Sequence, residues 1–186
     1  PFFSFGEHNR NALLRRQGMT MLVFASDNAR ADHARFESNG IQTYAPFEFD
    51  RQTTLPDGSL ATVSFTLTFA TSAQMPALAF FVCENRAQQH FWKPAFQRHG
   101  NGAQSIATAT IVTDDAERDA QFVSSLFNGG STAPAHGIRV NCGPNQAVQL
   151  LTRAAVGLID PTISWDASNG PVLAGLSVRS DPAQTP

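Results

Sequence analysis

Seven consecutive residues come round a second time in this chain. Ser26-Asp27-Asn28-Ala29-Arg30-Ala31-Asp32 is echoed by Thr113-Asp114-Asp115-Ala116-Glu117-Arg118-Asp119, an offset of 87 residues (113 − 26). Asn39-Gly40 recurs as Asn128-Gly129, two residues further on. Self-similarity at a fixed spacing marks a repeated supersecondary unit whose copies share a core. The chain is therefore expected to fold as two like halves.

The element order supports the same division. Ser4 and Glu7 fit a capping box at the start of a helix that Gly18 ends. An apolar strand over residues 19–25 follows, and then a helix capped by Ser26 or Asp27, with Ala29, His33 and Phe36 on one side. Residues 43–49 read as a strand, and Leu55-Pro56-Asp57-Gly58 is turn chemistry. Val63, Phe65, Leu67 and Phe69 then alternate with Thr62, Ser64, Thr66 and Thr68. This is a strand with one apolar face and one hydroxyl face, the latter lining a cleft or meeting solvent. Residues 77–83 form another strand. The order from residue 19 is strand, helix, strand, strand, strand. It recurs as a strand over 106–112, a helix capped by Asp114-Asp115 and ended by Asn128-Gly129, and strands over 136–140, 147–152 and 171–178. The expected fold class is α+β, with paired βαβββ modules. A third echo, Leu176 to Asp181 against Leu22 to Asp27, closes the sequence. The expected division is a connecting helix at 1–18, a first module with a bridge at 19–104, and a second module at 105–186. The opening helix reads as a connector from an upstream module, and the 186 residues as an excerpt of a longer chain.

Composition narrows the function classes. Apolar residues make up 42% and charged residues 15%, enough for a packed core. The 15 Phe against one Tyr put most rings in that core. A net charge of −2, with no basic stripe, excludes a nucleic-acid partner. No apolar run approaches the ~20 residues of a membrane span. Cys83 and Cys142 stand far apart and read as free thiols, so a cytoplasmic location is expected. Cys83 beside Glu84 is not an activated nucleophile, because a carboxylate disfavours thiolate.

One segment is chemically dense. Residues 83–101 hold Cys83, Glu84, His90 and His99 together with Phe91, Trp92 and Phe96. Glu84, His90 and His99 are the candidate catalytic residues. They could offer oxygen and nitrogen ligands to Zn, Ni or Fe, or His90 or His99 could act as a general base. The competing reading is a structural linker whose rings plug the sheet. Either way Trp92 and Phe96 are expected to be buried, and an imidazole is expected to pair with Glu84. His8, His33 and His136 read as packing or surface residues, Asp57-Gly58 as a turn, and Gly129-Gly130 lacks the context of a phosphate loop.

Phe5-Gly6-Glu7-His8-Asn9-Arg10, the run from Arg15 to Val23, Leu55-Pro56-Asp57-Gly58 and the run from Phe91 to Asn101 together resemble glyoxalase-like proteins of the vicinal oxygen chelate superfamily. The resemblance covers residues 5–127 well and the rest by pattern. It implies curved, cup-shaped mixed sheets with helices packed outside. It also implies a divalent metal held by His, Glu or Gln on the first strand and near the last strand of each module. Here the first strands, residues 20–24 and 108–112, carry no ligand-type side chain, and only Glu84 stands where a ligand is expected. Three functions stay open: a metal-assisted lyase, isomerase or dioxygenase, a metal-free small-molecule binder of bleomycin-resistance type, and a structural module. The expected partners are a small-molecule ligand and a second copy in a homodimer, or else a larger intramolecular pairing, since apolar sheet edges invite cover.

Overall fold

The computed structural model of the chain describes residues 3–127, 129–162 and 170–180. Asn128 and Asp181, which figured in the repeat, lie outside them. The first unit contains α1 (Phe5–Leu13), β1 (Met21–Ser26), α2 (Ala29–Ser38), β2 (Gln42–Thr43), β3 (Phe47–Thr54), β4 (Leu60–Thr71) and β5 (Ala79–Asn85). A bridge of α3 (Gln88–Phe91) and a 3₁₀ turn (Pro94–Phe96) leads on. The second unit contains β6 (Ala103–Thr113), α4 (Ala116–Phe127), β7 (Ser131–Thr132), β8 (Ile138–Gly143), β9 (Gln146–Thr152), α5 (Arg153–Ile159) and β10 (Val172–Ser180). The bridge helix and α5, which Thr152 caps by accepting from the Ala155 amide, were not expected from the sequence.

The two units share one strand order. In the first sheet β1 pairs parallel with β5, β5 antiparallel with β4, and β4 with β3 and β2. In the second β6 pairs parallel with β9, β9 antiparallel with β8, and β8 with β7. These are two mixed sheets of βαβββ type, the fold class expected. The strand β10 adds to the outer edge of β6, antiparallel.

Local chemistry sets the helix ends. Ser4 accepts from the Glu7 amide at 3.2 Å, as the capping box requires. The cap of α2 is Asn28, one or two residues later than expected; its Oδ1 accepts from Ala31 N at 3.0 Å. Asp115 does the same for Arg118 N at 3.0 Å. At the far end of α2, Gly40 takes φ +68°, and Ile41 N reaches Phe36 O at 2.9 Å. This is a left-handed stop closed by an apolar contact, since Ile41 is buried.

A shared core joins the units. Phe36, Met75 and Phe80 from the first meet Ile111, Val123, Leu126 and Leu150 from the second. Phe24 lies edge-on to Phe127 with centroids 4.4 Å apart, and Arg35 of α2 donates to the Leu126 carbonyl of α4. The hydroxyl face of β4 meets solvent at Thr62, is half-buried at Ser64, and is covered beyond them. Thr66 and Thr68 lie beneath α2, 1% and 0% exposed, and Thr68 donates to the Ala29 carbonyl at 2.7 Å. A hydroxyl buried beneath a helix needs a partner, and the Ala29 carbonyl supplies one.

The opposite face of the first sheet is aromatic. Phe65, Phe69 and Phe81 line it, and the N-terminal segment fills it: Phe3 stacks on Phe69 at 4.3 Å, and Phe5 meets Phe69 and Phe81 edge-on. The corresponding face of the second sheet holds Val112, Leu151 and Val172 beneath Val156 of α5. Among the described residues no helix is long and apolar enough to cross a membrane.

Candidate functional site

Strand alternation decides which bridge residues can meet. On β5, Phe80 and Val82 enter the core shared with the helices, while Ala79, Phe81 and Cys83 face the aromatic side. Glu84 follows the first pair and Asn85 the second. Accordingly the Glu84 carboxylate accepts from the Ala29 amide at 3.0 Å, at the first residue of α2. It neutralises the positive end of that helix and forms no pair with an imidazole.

His90 and His99 do come together, on the other side. They line one open cleft of about 480 Å³ with Asn85, Trp92, Phe96 and Gln104. The end of β5, the bridge and the start of β6 form its walls. Asn85 shapes its entrance by accepting from the Ala87 amide at 2.9 Å, which starts the α3 turn. Phe91 anchors that turn by meeting Phe65 edge-on at 5.5 Å, and the Arg51 guanidinium lies 5.8 Å from the centres of both rings.

The expected burial of the other two rings is not found. Trp92 is 66% exposed and Phe96 48%. A short helix followed at once by a 3₁₀ turn can aim only one of its three rings at the sheet, and Phe91 takes that place. The two others stand in the cleft wall with their faces available. His99 is exposed and His90 half-buried. His90 Nδ1 is buried and has no hydrogen-bond partner among the described residues. Buried polar atoms are nearly always paired, so this nitrogen is the least satisfied polar atom at the site.

The donor set does not fit the metal that the resemblance implies. Among the described residues no three His, Cys, Asp or Glu side chains converge. Glu84 lies on the opposite face of the sheet from the two imidazoles. The thiols do not serve either. Burial, and then Glu84, push the Cys83 thiol up, and burial pushes Cys142 up to about 11. Both are free. A second hollow of about 250 Å³ lies between α1 and Pro76, lined by His8 and Arg15. His8 Nε2 is already bonded to the Thr20 carbonyl at 3.2 Å, so this hollow offers no unsatisfied imidazole.

Asn85 and Gln104 escaped the sequence reading. Asn85 could have been found by continuing the alternation of β5 past Cys83. Gln104 could not, because the path of the bridge decides its approach.

Comparison with known proteins bears on this geometry. A family model described as a glyoxalase-like domain matches residues 4–127. A crystal structure of a hypothetical protein from Staphylococcus aureus superposes with a TM-score of 0.54 at 11% identity, covering 70% of this chain and 51% of that one. The chain thus spans about half the length of that structure, and the likeness is one of fold. A second hypothetical protein from S. aureus, also 11% identical, gives a TM-score of 0.33 over 74% of this chain and 94% of its own. No curated protein matches.

Proposed function

The chain belongs to the glyoxalase-like domain family of the vicinal oxygen chelate superfamily, and from that premise we propose that it binds a small planar, oxygen-bearing molecule in the bridge cleft without a metal. The observation that carries this reading is that His90, whose Nδ1 is buried and unpartnered among the described residues, lines one cleft with Trp92 and Phe96. An aromatic wall with a few convergent polar groups is the usual make-up of a small-molecule site. A planar ligand would lie against the Trp92 and Phe96 rings, and its oxygen would bond His90. Asn85 and Gln104 supply further donors and acceptors at the rim.

Binding fits this geometry better than metal-assisted lyase, isomerase or dioxygenase chemistry. Chelation of vicinal oxygens needs converging ligands, and the available ones lie on two faces of one sheet. Free, raised thiols suit a reducing compartment, so a cytoplasmic setting belongs to the same reading.

Trp92 fluorescence provides the test. A panel of small phenols, aromatic acids and dicarbonyl compounds is titrated into the protein, into Trp92→Phe as the signal control, and into His90→Ala. At least one class should change the emission and saturate, and His90→Ala should weaken it about tenfold, the equivalent of one hydrogen bond to a buried partner. Saturable binding that His90→Ala leaves intact would sink the proposal, as would a panel with no saturable member.

A further inference from the structure

The first sheet sorts charge between its two faces. On β3, Phe47 and Phe49 pack on the aromatic side, so Glu48 and Asp50 take the other side by alternation. Glu48 accepts there from Arg30 of α2 at 2.9 Å and from Arg86 at 3.3 Å. Glu84 meets the Ala29 amide on the same side. All three carboxylates thus face away from the bridge cleft. Arg51 and Thr53 continue the aromatic side of β3. Thr53 lines the cleft, and so does Phe91. The Arg51 guanidinium lies 5.8 Å from the centre of the Phe91 ring, which puts an exposed cation at the edge of the cleft. Arg30 and Arg86 share Glu48, whereas Arg51 forms no ion pair among the described residues.

The bridge adds to the same bias. Residues 85–113 supply all of the cleft lining except Thr53, and they contain no Asp or Glu. Besides Arg86, which Glu48 holds, they carry Lys93, Arg98 and the two imidazoles. Lys93 already has a carboxylate near it: after Ser59, which contributes most, it helps to hold the Asp57 carboxyl below its ordinary range. Arg98 is exposed and stands in sequence between Gln97 and His99, both in the lining. The other polar groups of the wall are neutral. A negatively charged ligand would meet no like charge in this lining and would gain the field of Arg51, while a cation would be repelled. Given that the cleft binds a small planar molecule, as proposed above, we infer that its ligand is an anion: an aromatic carboxylate whose ring lies on Trp92 and Phe96 and whose charge is drawn by Arg51. A guanidinium fork matches the two oxygens of a carboxylate. The His90 ring and the Asn85 and Gln104 amides can donate to such oxygens, whereas no lining carboxylate competes with them.

Calorimetric titration of the chain with naphthoate and with its uncharged isostere naphthamide tests this, alongside Arg51→Gln. The two ligands share a ring system and differ in charge. Naphthoate should bind at least about fivefold tighter than naphthamide, the upper end for an ion pair open to water. Arg51→Gln should weaken naphthoate about fivefold and leave naphthamide unchanged, with an unaltered circular dichroism spectrum. Lost packing on Phe91 would weaken both ligands alike, so the difference between them isolates the charge. Naphthamide binding as tightly as naphthoate overturns the inference and leaves the cleft standing as a binding site. A preference for naphthoate that Arg51→Gln retains does the same. Naphthoate that fails to saturate also overturns it, and binding in the cleft is refuted with it only when naphthamide and the other neutral compounds fail as well.

Discussion

Thr113 donates its hydroxyl to the Asp119 carboxylate at 2.5 Å, and 87 residues earlier Ser26 does the same to Asp32 at 2.5 Å. Each hydroxyl also accepts an amide, from Asp115 at 3.2 Å and from Asn28 at 3.1 Å. The repeated residues thus form a repeated device, which ties the end of the first strand to the first turn of the helix that follows. The two copies differ in burial. Asp119 is 1% exposed and also accepts from Arg118 Nε at 2.9 Å, while Asp32 is half-buried.

Burial should set the cost of breaking each copy. Asp119→Ala leaves a buried hydroxyl without its acceptor and takes from Arg118 the closer of its two carboxylate partners, Asp115 remaining at 3.8 Å, and should cost about 3 kcal/mol. Asp32→Ala, closer to water, should cost about 1 kcal/mol. Urea denaturation of the two variants measures the difference. Equal losses would show that the two copies are not graded by burial.

A glycine on the second sheet should be nearly irreplaceable. Gly137 has φ +149°, and a Cβ there would stand 2.2 Å from the Leu150 carbonyl oxygen and 2.8 Å from Leu151 Cδ2. Backbone cannot move aside as a side chain can. Gly137→Ala should cost more than about 2 kcal/mol. Gly58→Ala, at φ +83° in open space, should cost about 1 kcal/mol for its backbone conformation alone. Thermal unfolding of the pair compares them.

The parts of the fold that were legible in the sequence were the periodic ones. The period-two pattern of residues 62–69 gave β4, and the repeated Ser/Thr-to-Asp segment gave the two helix starts and the shared strand order. Destinations were harder to read. The hydroxyl face of β4 looked fit for solvent or a cleft because a sequence does not say which helix will cover a strand. Trp92 and Phe96 looked buried because their apolar area was counted without the path of the bridge, which spends its one inward position on Phe91. At the site, His90 and His99 were found by residue type. Glu84 was grouped with them because it is near in sequence, although alternation along β5 sends it to the other face.

The thiols should be sluggish. Burial raises the Cys142 pKa from its ordinary 9.0 to about 11, so at neutral pH thiolate is scarcer than in a free thiol, and iodoacetamide should modify it much more slowly than glutathione. The same shift ties stability to pH. The folded chain holds this proton more tightly than the unfolded one, so the contribution is fully present below pH 9 and lost as pH rises towards 11. Cys142→Ser should flatten that alkaline decline. A wild-type decline that the variant fully retains would assign it to other groups.

Glu84 and His90 should separate cleanly in function because the sheet separates them in space. The Glu84 carboxylate meets the amide at the start of α2, where a negative charge is worth about 1 kcal/mol. Glu84→Ala should therefore lower stability by that amount in urea and leave ligand affinity in the bridge cleft unchanged. His90→Ala removes an imidazole with a buried, unpartnered nitrogen from the cleft lining, so it should leave stability nearly unchanged or raise it, and weaken binding. A chelator should alter neither quantity, since no three donors converge among the described residues. Had the two residues shared a metal, both variants and the chelator would reduce binding together. The pattern across three measurements thus discriminates a metal-free cleft from a chelating one, even before any natural ligand is known. Loss of binding in Glu84→Ala with the fold intact would show that the carboxylate reaches the ligand after all.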